Sequence, residues 1–249
     1  MRLYVVDAFT DKAFAGNPAG VVLLDQPAES AWMQSVAAEL RHSETAFVEP
    51  GGGLRWFTPA VEVDLCGHAT LAAGHALGGE QLFRTRSGEL RTRAADGWVS
   101  MDFPADPPVA SADEVAPALP GVTVAEVLRG KWDIVVVAAD AAEVRAMRPD
   151  LDAIAGWQAR CVVVTARGDK PGVDFVSRVF GPAVGIPEDP VTGSVHCTLA
   201  PFWARRLGRD ELVGEQASER GGIVRVQAGR ERVTLAGRAV TVLSGELLV

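Results

Sequence analysis

The segment Arg55-Trp-Phe57-Thr-Pro59-Ala60-Val61 returns, about half a chain later, as Arg178-Val-Phe180-Gly-Pro182-Ala183-Val184, identical at five of seven positions. An internal repeat constrains the fold more than any local propensity, because each copy of a supersecondary unit is built alike and buries its apolar side in the same way. Both copies run into the same punctuation. Glu62-Val-Asp-Leu-Cys66-Gly67-His68 follows the first, Glu188-Asp189-Pro-Val-Thr192-Gly193-Ser194 the second, each with Glu five residues before Gly. Three extra residues around Gly185-Ile-Pro187 sit in the second copy, where a loop can absorb them. Farther on, Leu90 to Val99 and Val224 to Val233 each read as two short strands joined by a turn, at Gly97 and Gly229.

After each glycine the pattern changes to helix. Residues 69–77 and 195–204 carry almost no charge on any face, as expected of helices buried all round. Gly208 is placed to stop the second helix and Pro201 to bend it. Short β-branched runs surround them: Gly20 to Leu24, Ile134 to Val137, Cys161 to Thr165 and Ala239 to Leu243. Trp32 to Leu40 has the spacing of an ordinary amphipathic helix. The fold expected is α+β: two pseudo-symmetric halves, 1–112 and 122–249, each with strands around a central buried helix, near 67–77 and near 193–207. The last strand is a candidate to pack on the N-terminal half. Pro107, Pro108, Pro117 and Pro120 suggest a linker over Ala110 to Val122, with a cleft between the halves. One parallel doubly wound sheet fits less well, since strands arrive in runs and no GxGxxG follows a strand.

Composition narrows the function. With 249 residues, 48% of them hydrophobic, and a mean hydropathy of +0.13, the chain can bury a large core. A formal net charge of −8 opposes binding to nucleic acid or anionic lipid. No signal-like segment and no apolar run of membrane-spanning length occurs, so a cytoplasmic location is expected. Cys66, Cys161 and Cys197 show no CxxC spacing, which argues against disulfides and structural zinc. His42, His68, His75 and His196 show no HExxH-type spacing either.

The chemistry concentrates at the two glycines. A helix N-terminus offers unpaired N–H groups and a partial positive charge, and Gly permits close approach, so Gly67 and Gly193 are candidates to grip a small carboxylate. Alternatively each simply begins a helix. His68 is the best single acid or base candidate, with Cys66 beside it and Asp189 and Ser194 near the matching place in the second half. Glu44, in Ser43-Glu44-Thr45-Ala-Phe47, lies between a helix and a strand, where a carboxylate alone would be a solvated loop residue.

These residues carry a resemblance. Asp7-Ala-Phe-Thr10, Phe14-Ala-Gly16-Asn17-Pro18, Ser43-Glu44-Thr45-Ala-Phe47, Arg55-Trp-Phe-Thr-Pro59, Asp64-Leu-Cys-Gly67-His68-Ala-Thr70, Glu188-Asp189-Pro-Val-Thr-Gly193-Ser194 and Gln216-Ala-Ser218-Glu-Arg220-Gly221-Gly222 resemble, in order, the motifs of the phenazine-biosynthesis PhzF-like family. The resemblance implies the diaminopimelate-epimerase-like fold, in which a mostly antiparallel, barrel-like sheet wraps the central helix of each half, and a homodimer. It implies that Glu44 shuttles a proton, that His68 and Asp189 assist protonation and placement, and that Gly67, Gly193 and Ser194 hold a substrate carboxylate. The best-known family reaction moves a proton within a cyclic dienyl amino acid, trans-2,3-dihydro-3-hydroxyanthranilate, with no cofactor and no metal. Related epimerases use two thiols. Here Cys66 stands at one position and Thr192 at the other, and Thr is no base near neutral pH, so a two-thiol racemase is disfavoured and Cys66 reads as a small core residue. The chain is short around Leu77 to Phe83 and Pro107 to Val124, where loops bear on substrate choice, and His42 stands where a small polar residue is usual. An epimerase, or a module that binds a small acid without turning it over, are the alternatives.

Overall fold

The computed structural model describes all 249 residues and divides them into two units, Met1–Phe103 with Leu235–Val249, and Pro104–Thr234. In the first unit β1 (Arg2–Ala8), β2 (Asn17–Leu23), α1 (Ser30–Leu40), β3 (Glu44–Val48), β4 (Leu54–Phe57), β5 (Glu62–Val63), α2 (Gly67–Leu77), β6 (Gly79–Thr85), β7 (Gly88–Ala95) and β8 (Trp98–Pro104) follow one another. In the second come β9 (Val109–Ala110), β10 (Val124–Arg129), β11 (Ile134–Ala138), α3 (Ala141–Ala146), α4 (Leu151–Ala155), β12 (Val162–Arg167), β13 (Phe175–Gly181), β14 (Ile186–Asp189), α5 (His196–Leu207), β15 (Glu211–Gln216) and β16 (Gly222–Ala228). β16 turns at Gly229 into β17 (Arg232–Gly237), along which the chain passes back to the first unit, and β18 (Ala239–Glu246) ends there.

The first unit's main sheet has the order β18-β1-β2-β3-β4-β5, antiparallel apart from the parallel pair β2 and β3. Its two faces are filled differently. Met33, Val36 and Ala37 of α1 pack with Val22, Phe47 and Phe57, and the Phe47 and Phe57 rings meet edge-on at 5.5 Å. Strand residues alternate between faces, so Glu44, out of phase with Thr45 and Phe47, is turned to the face opposite α1. There α2 packs on β1, β2 and β3, and also against β6, β7 and β18. Its residues 67–74 are all buried, which a helix apolar on every side requires.

In the second unit the order is β16-β15-β13-β12-β11-β10-β9, with β14 paired to β13. β11, β12 and β13 are buried on both faces and read accordingly as continuous Val-rich runs. One face carries α3 and α4. The other carries α5, whose Trp203 stacks on Phe175 at 6.0 Å and donates its Nε1–H to Thr165 Oγ1 at 3.1 Å.

Two boundaries differ from the sequence reading. The unit boundary falls at Phe103 and Pro104, and the proline-bearing stretch expected as a linker is part of the second unit, because Val115, Ala118 and Leu119 supply apolar side chains to its core. Helix α5 begins at His196, after a turn over Gly193 to Val195 whose i to i+3 bonds, His196 N to Gly193 O and Cys197 N to Ser194 O, tighten the first turn. No helix is long and apolar enough to cross a membrane.

The repeat has a physical content. In the first copy the Arg55 guanidinium forks onto Glu62 through two bonds of 2.8 Å and lies over the Phe57 ring at 5.2 Å. In the second, Arg178 forks onto Glu188 at 2.7 and 2.9 Å and lies over Phe180 at 5.1 Å. Each fork ties together the two strands of a hairpin, β4 with β5 and β13 with β14, and so fixes where the chain leaves for the glycine. In the second copy the shared Pro182–Val184 forms a 3-10 turn, and the added residues follow it, with Gly185 ending the turn and Ile186 and Pro187 starting β14. Arg178 is the more buried of the two arginines and also donates to the Met147 carbonyl at 2.9 Å. Breaking a buried pair from one side strands the other charge. Glu188→Ala should therefore lower the unfolding free energy by about 3 kcal/mol, read as a shifted urea midpoint. Asp11→Asn, at the exposed 3.5 Å pair with Arg238, should change it by less than about 0.5 kcal/mol.

Candidate active site

Glu44 is delivered by a sharp ending. Helix α1 stops at Arg41, whose left-handed backbone (φ 56°) bonds back to Ala37 O, and the chain enters β3 at Glu44 beside Ala19 of β2. His68 is delivered by the β4–β5 hairpin, which leads to Cys66 in extended conformation and then directly into α2. The Glu44 Oε2 and His68 Nε2 atoms lie 3.4 Å apart, with both side chains largely shielded from solvent. This is charge-pair distance, although Nε2 has no aligned hydrogen bond. On the other edge of the ring Nδ1 lies 3.5 Å from Cys66 Sγ. The first-turn N–H groups of Gly67, His68 and Ala69 belong to a helix start and have no intrahelical acceptors.

Burial pushes the His68 pKa below its usual 6.5, partly opposed by the Glu44 carboxylate and reinforced by His42. His68 is thus a neutral imidazole at neutral pH. With Glu44 as carboxylate, an acceptor only, a ring proton on Nε2 would face it and leave the Nδ1 lone pair toward the Cys66 thiol. Glu44, Cys66 and His68 each offer a ligand atom within 4.8 Å of the others.

The matching place in the second unit has a different character. Asp189, buried, accepts a short hydrogen bond from Thr192 Oγ1. The fully buried Gln216 holds this turn from both sides: its Oε1 accepts from Thr192 N at 2.9 Å, and its Nε2 donates to Asp189 O at 2.7 Å. Ser218 Oγ donates to Pro190 O at 2.7 Å. His196 donates from Nδ1 to Thr192 O at 2.9 Å, while its Nε2 is buried with no partner, close to Phe175 and Gly214. Gly193 and Ser194 lie in the turn between this network and α5. The structure thus brings together Glu44, His68 and Gly67 in one unit, and Asp189, Gly193 and Ser194 in the other. The supporting role of Gln216 was not among the residues singled out for chemistry, and its signal was the Gln216-Ala-Ser218 motif. A cavity of about 330 Å³ elsewhere in the second unit is lined by Asp113, Glu114, Arg129 and Trp157. Asp113 there is already forked by Arg129, so it offers no free acid. Cys161, whose thiol burial pushes up to about 12, is inert as a nucleophile.

Comparison with known proteins identifies the family and the fold. The family model of phenazine biosynthesis-like proteins, PhzC-PhzF, matches residues 6–245. The chain belongs to this family. It is 47% identical, over 99% of its length and 98% of the relative's, to an uncharacterised isomerase of Pseudomonas aeruginosa. The crystal structure of a PhzF-family protein from Enterococcus faecalis superposes with a TM-score of 0.95 at 38% identity, covering 100% of this chain and 99% of the other. A probable proline racemase from Agrobacterium radiobacter, 11% identical, covers 100% of this chain and 93% of its own at a TM-score of 0.62, and so shares the fold alone. The two-unit, central-helix architecture is the diaminopimelate-epimerase-like fold of PhzF-like proteins.

The buried histidines make stability depend on pH. His196 is held at about 4 by burial, against 6.5 for an exposed histidine. Between these values the unfolded chain binds a proton that the folded one refuses, so stability falls as pH drops from about 6.5 to about 4, by up to about 3 kcal/mol for this residue. His68 contributes with the same sign. His196→Asn, which keeps a donor for Thr192 O, should flatten this acid limb in urea titrations at pH 7 and pH 4.5.

Proposed function

We propose that this family member is a cofactor-independent isomerase that relocates a proton within a small unsaturated or cyclic amino or carboxylic acid. The carrying observation is the Glu44 carboxylate set 3.4 Å from the Nε2 of a buried, neutral His68 at the start of α2. A carboxylate in such surroundings can take a proton from carbon and return it to another carbon of the same molecule, with no net change in atoms or charge. The Nε2 edge of His68 faces Glu44 at 3.4 Å. The unpaired N–H groups at Gly67 favour a carboxylate whose negative charge grows as the proton leaves, which is the preorganised stabilisation such a step needs. The same local dipole lets a chain of net charge −8 accept an acid.

In this reading Asp189 assists protonation, and Gly193 and Ser194 serve the substrate's carboxylate. The network of Gln216, Thr192 and His196 fixes the Asp189 turn. Relatives named as isomerases support the reaction class. The epimerase alternative needs a second base where the fold places Thr192. That hydroxyl donates to Asp189 and has no thiol chemistry.

Glu44→Gln, isosteric but without basicity, should reduce incorporation of deuterium from D2O into trans-2,3-dihydro-3-hydroxyanthranilate at least about 100-fold, measured by mass spectrometry. Full exchange by the variant would remove Glu44 from its role. Because neutral His68 is the active form and its pKa lies below 6.5, kcat/KM for the wild type should be level down to about pH 6.5 and fall only at lower pH.

A further inference from the structure

One buried nucleophile beside the Glu44–His68 pair has no part in proton relocation, the thiol of Cys66. It stands at the N-terminal boundary of α2, and its Sγ lies 3.5 Å from His68 Nδ1. Together with Glu44 from β3, Cys66 and His68 supply one ligand atom each, all three within 4.8 Å of one another. The other two cysteines, Cys161 and Cys197, join no such group. A second observation is independent of this clustering. The Nε2 of His68 is buried, lies 3.4 Å from Glu44 Oε2 and has no hydrogen-bond partner. A buried imidazole nitrogen left in that state calls for an explanation, and here it is set against an anionic oxygen.

The separations are those that a tetrahedral metal imposes. Zinc bonds of about 2.0–2.1 Å to nitrogen and oxygen and about 2.3 Å to sulfur place nitrogen and oxygen ligands roughly 3.3 Å apart, and nitrogen and sulfur ligands roughly 3.6 Å apart. The Nε2 to Oε2 and Nδ1 to Sγ distances, 3.4 and 3.5 Å, match both. A metal takes a single ring nitrogen, so one ligand is already in place and the other closes a gap of no more than 4.8 Å by rotation of its own side chain.

The donor set selects the ion. Thiolate and imidazole suit zinc, whereas magnesium and calcium take oxygen throughout. One thiolate and one carboxylate cancel the two positive charges of the ion, and a neutral complex is the kind that a buried site accommodates. Glu44 is the more open member of its pair, with 13% of its side chain exposed against 6% for His68, which leaves the carboxylate's side as the way in.

We propose that Glu44, Cys66 and His68 form a zinc site, and that zinc bound there switches the enzyme off. The binding half stands by itself, and the switch rests on the isomerase reading above. On binding, the S–H bond of Cys66 breaks, a sulfur–zinc bond forms and the proton goes to solvent, with nothing oxidised or reduced. The carboxylate that takes a proton from substrate carbon is then held as a ligand and has lost its basicity.

The test uses the full-length chain, stripped of metal with EDTA and dialysed. It is titrated with Co2+, whose bond to a thiolate gives a charge-transfer band in the near ultraviolet, and then with Zn2+. The band should saturate at about one equivalent of cobalt and be bleached by zinc, disappear in Cys66→Ser and persist in Cys161→Ser. No band in the wild type, or a band that survives Cys66→Ser, overturns the site. X-ray absorption of the wild-type zinc complex reads the same ligands without a variant. One sulfur at about 2.3 Å beside nitrogen and oxygen at about 2.0–2.1 Å is expected, and a shell of nitrogen and oxygen alone overturns the site. Zinc should also cut incorporation of deuterium from D2O into trans-2,3-dihydro-3-hydroxyanthranilate at least about tenfold, reversibly with EDTA, and Cys66→Ser should need about tenfold more zinc for half of the effect, measured against its own zinc-free rate. Exchange that continues undiminished with zinc bound overturns the switch. A chain that binds zinc through sulfur yet exchanges no proton in its absence supports the site and overturns the isomerase reading for this substrate class, and the switch with it.

Discussion

The Arg–Glu fork is the interaction on which the rest of each unit depends. A guanidinium over a phenylalanine ring, tied at two points to a glutamate on the next strand, fixes a short hairpin that would otherwise be only two to four residues of marginal pairing. In both units the helix that fills the core begins a few residues later, so the fork sets where its first turn lies. Burial matters more than the ion pair as such. Arg178 is sunk among the carbonyls that end α3, where a missing partner would leave a charge without solvent, while Arg55 keeps further partners in Ser30 and, through Glu62, Arg86. The second unit is therefore the one with less freedom to lose its glutamate.

From this shared scaffold the two turns have diverged in chemistry. In the first unit the turn carries a thiol, an imidazole and, from the neighbouring sheet, a carboxylate, arranged so that the imidazole separates the other two. That arrangement suits proton movement. The second turn carries a carboxylate, a hydroxyl and an amide that satisfy one another almost completely, and it suits holding a group in place. The first turn suits proton movement and the second a fixed hydrogen-bond frame, the division that the proposed relocation within one molecule asks for and that a symmetric pair of thiol bases does not provide.

Much of this was legible in the sequence. The repeat marked the two matching segments that the fork ties, and uncharged runs after Gly67 and Gly193 marked the core helices. Three things were not legible. The start of α5 depends on 3-10 bonding at Gly193 to Val195, a choice among nearly equal backbone hydrogen bonds that residue types do not decide. The proline-bearing stretch after Phe103 looked like a linker because prolines mark loops as readily as they mark folded turns, and only Val115, Ala118 and Leu119 reveal that it closes the core. Glu44 looked like a solvated carboxylate by itself. Its face of the sheet follows from the period of β3, but its partner lies in a helix more than twenty residues away.

The proposed reaction turns on a protonation state: His68 neutral, its proton on Nε2 toward Glu44, so that the carboxylate is the base. Nitrogen-15 NMR of the histidine rings between pH 8 and pH 5.5 tests it without any substrate. The expected result is a His68 ring that is neutral at pH 6.5, with Nε2 protonated, and that titrates only below that value. A ring that titrates at 6.5 or above, or that carries its proton on the Nδ1 facing Cys66, would contradict it.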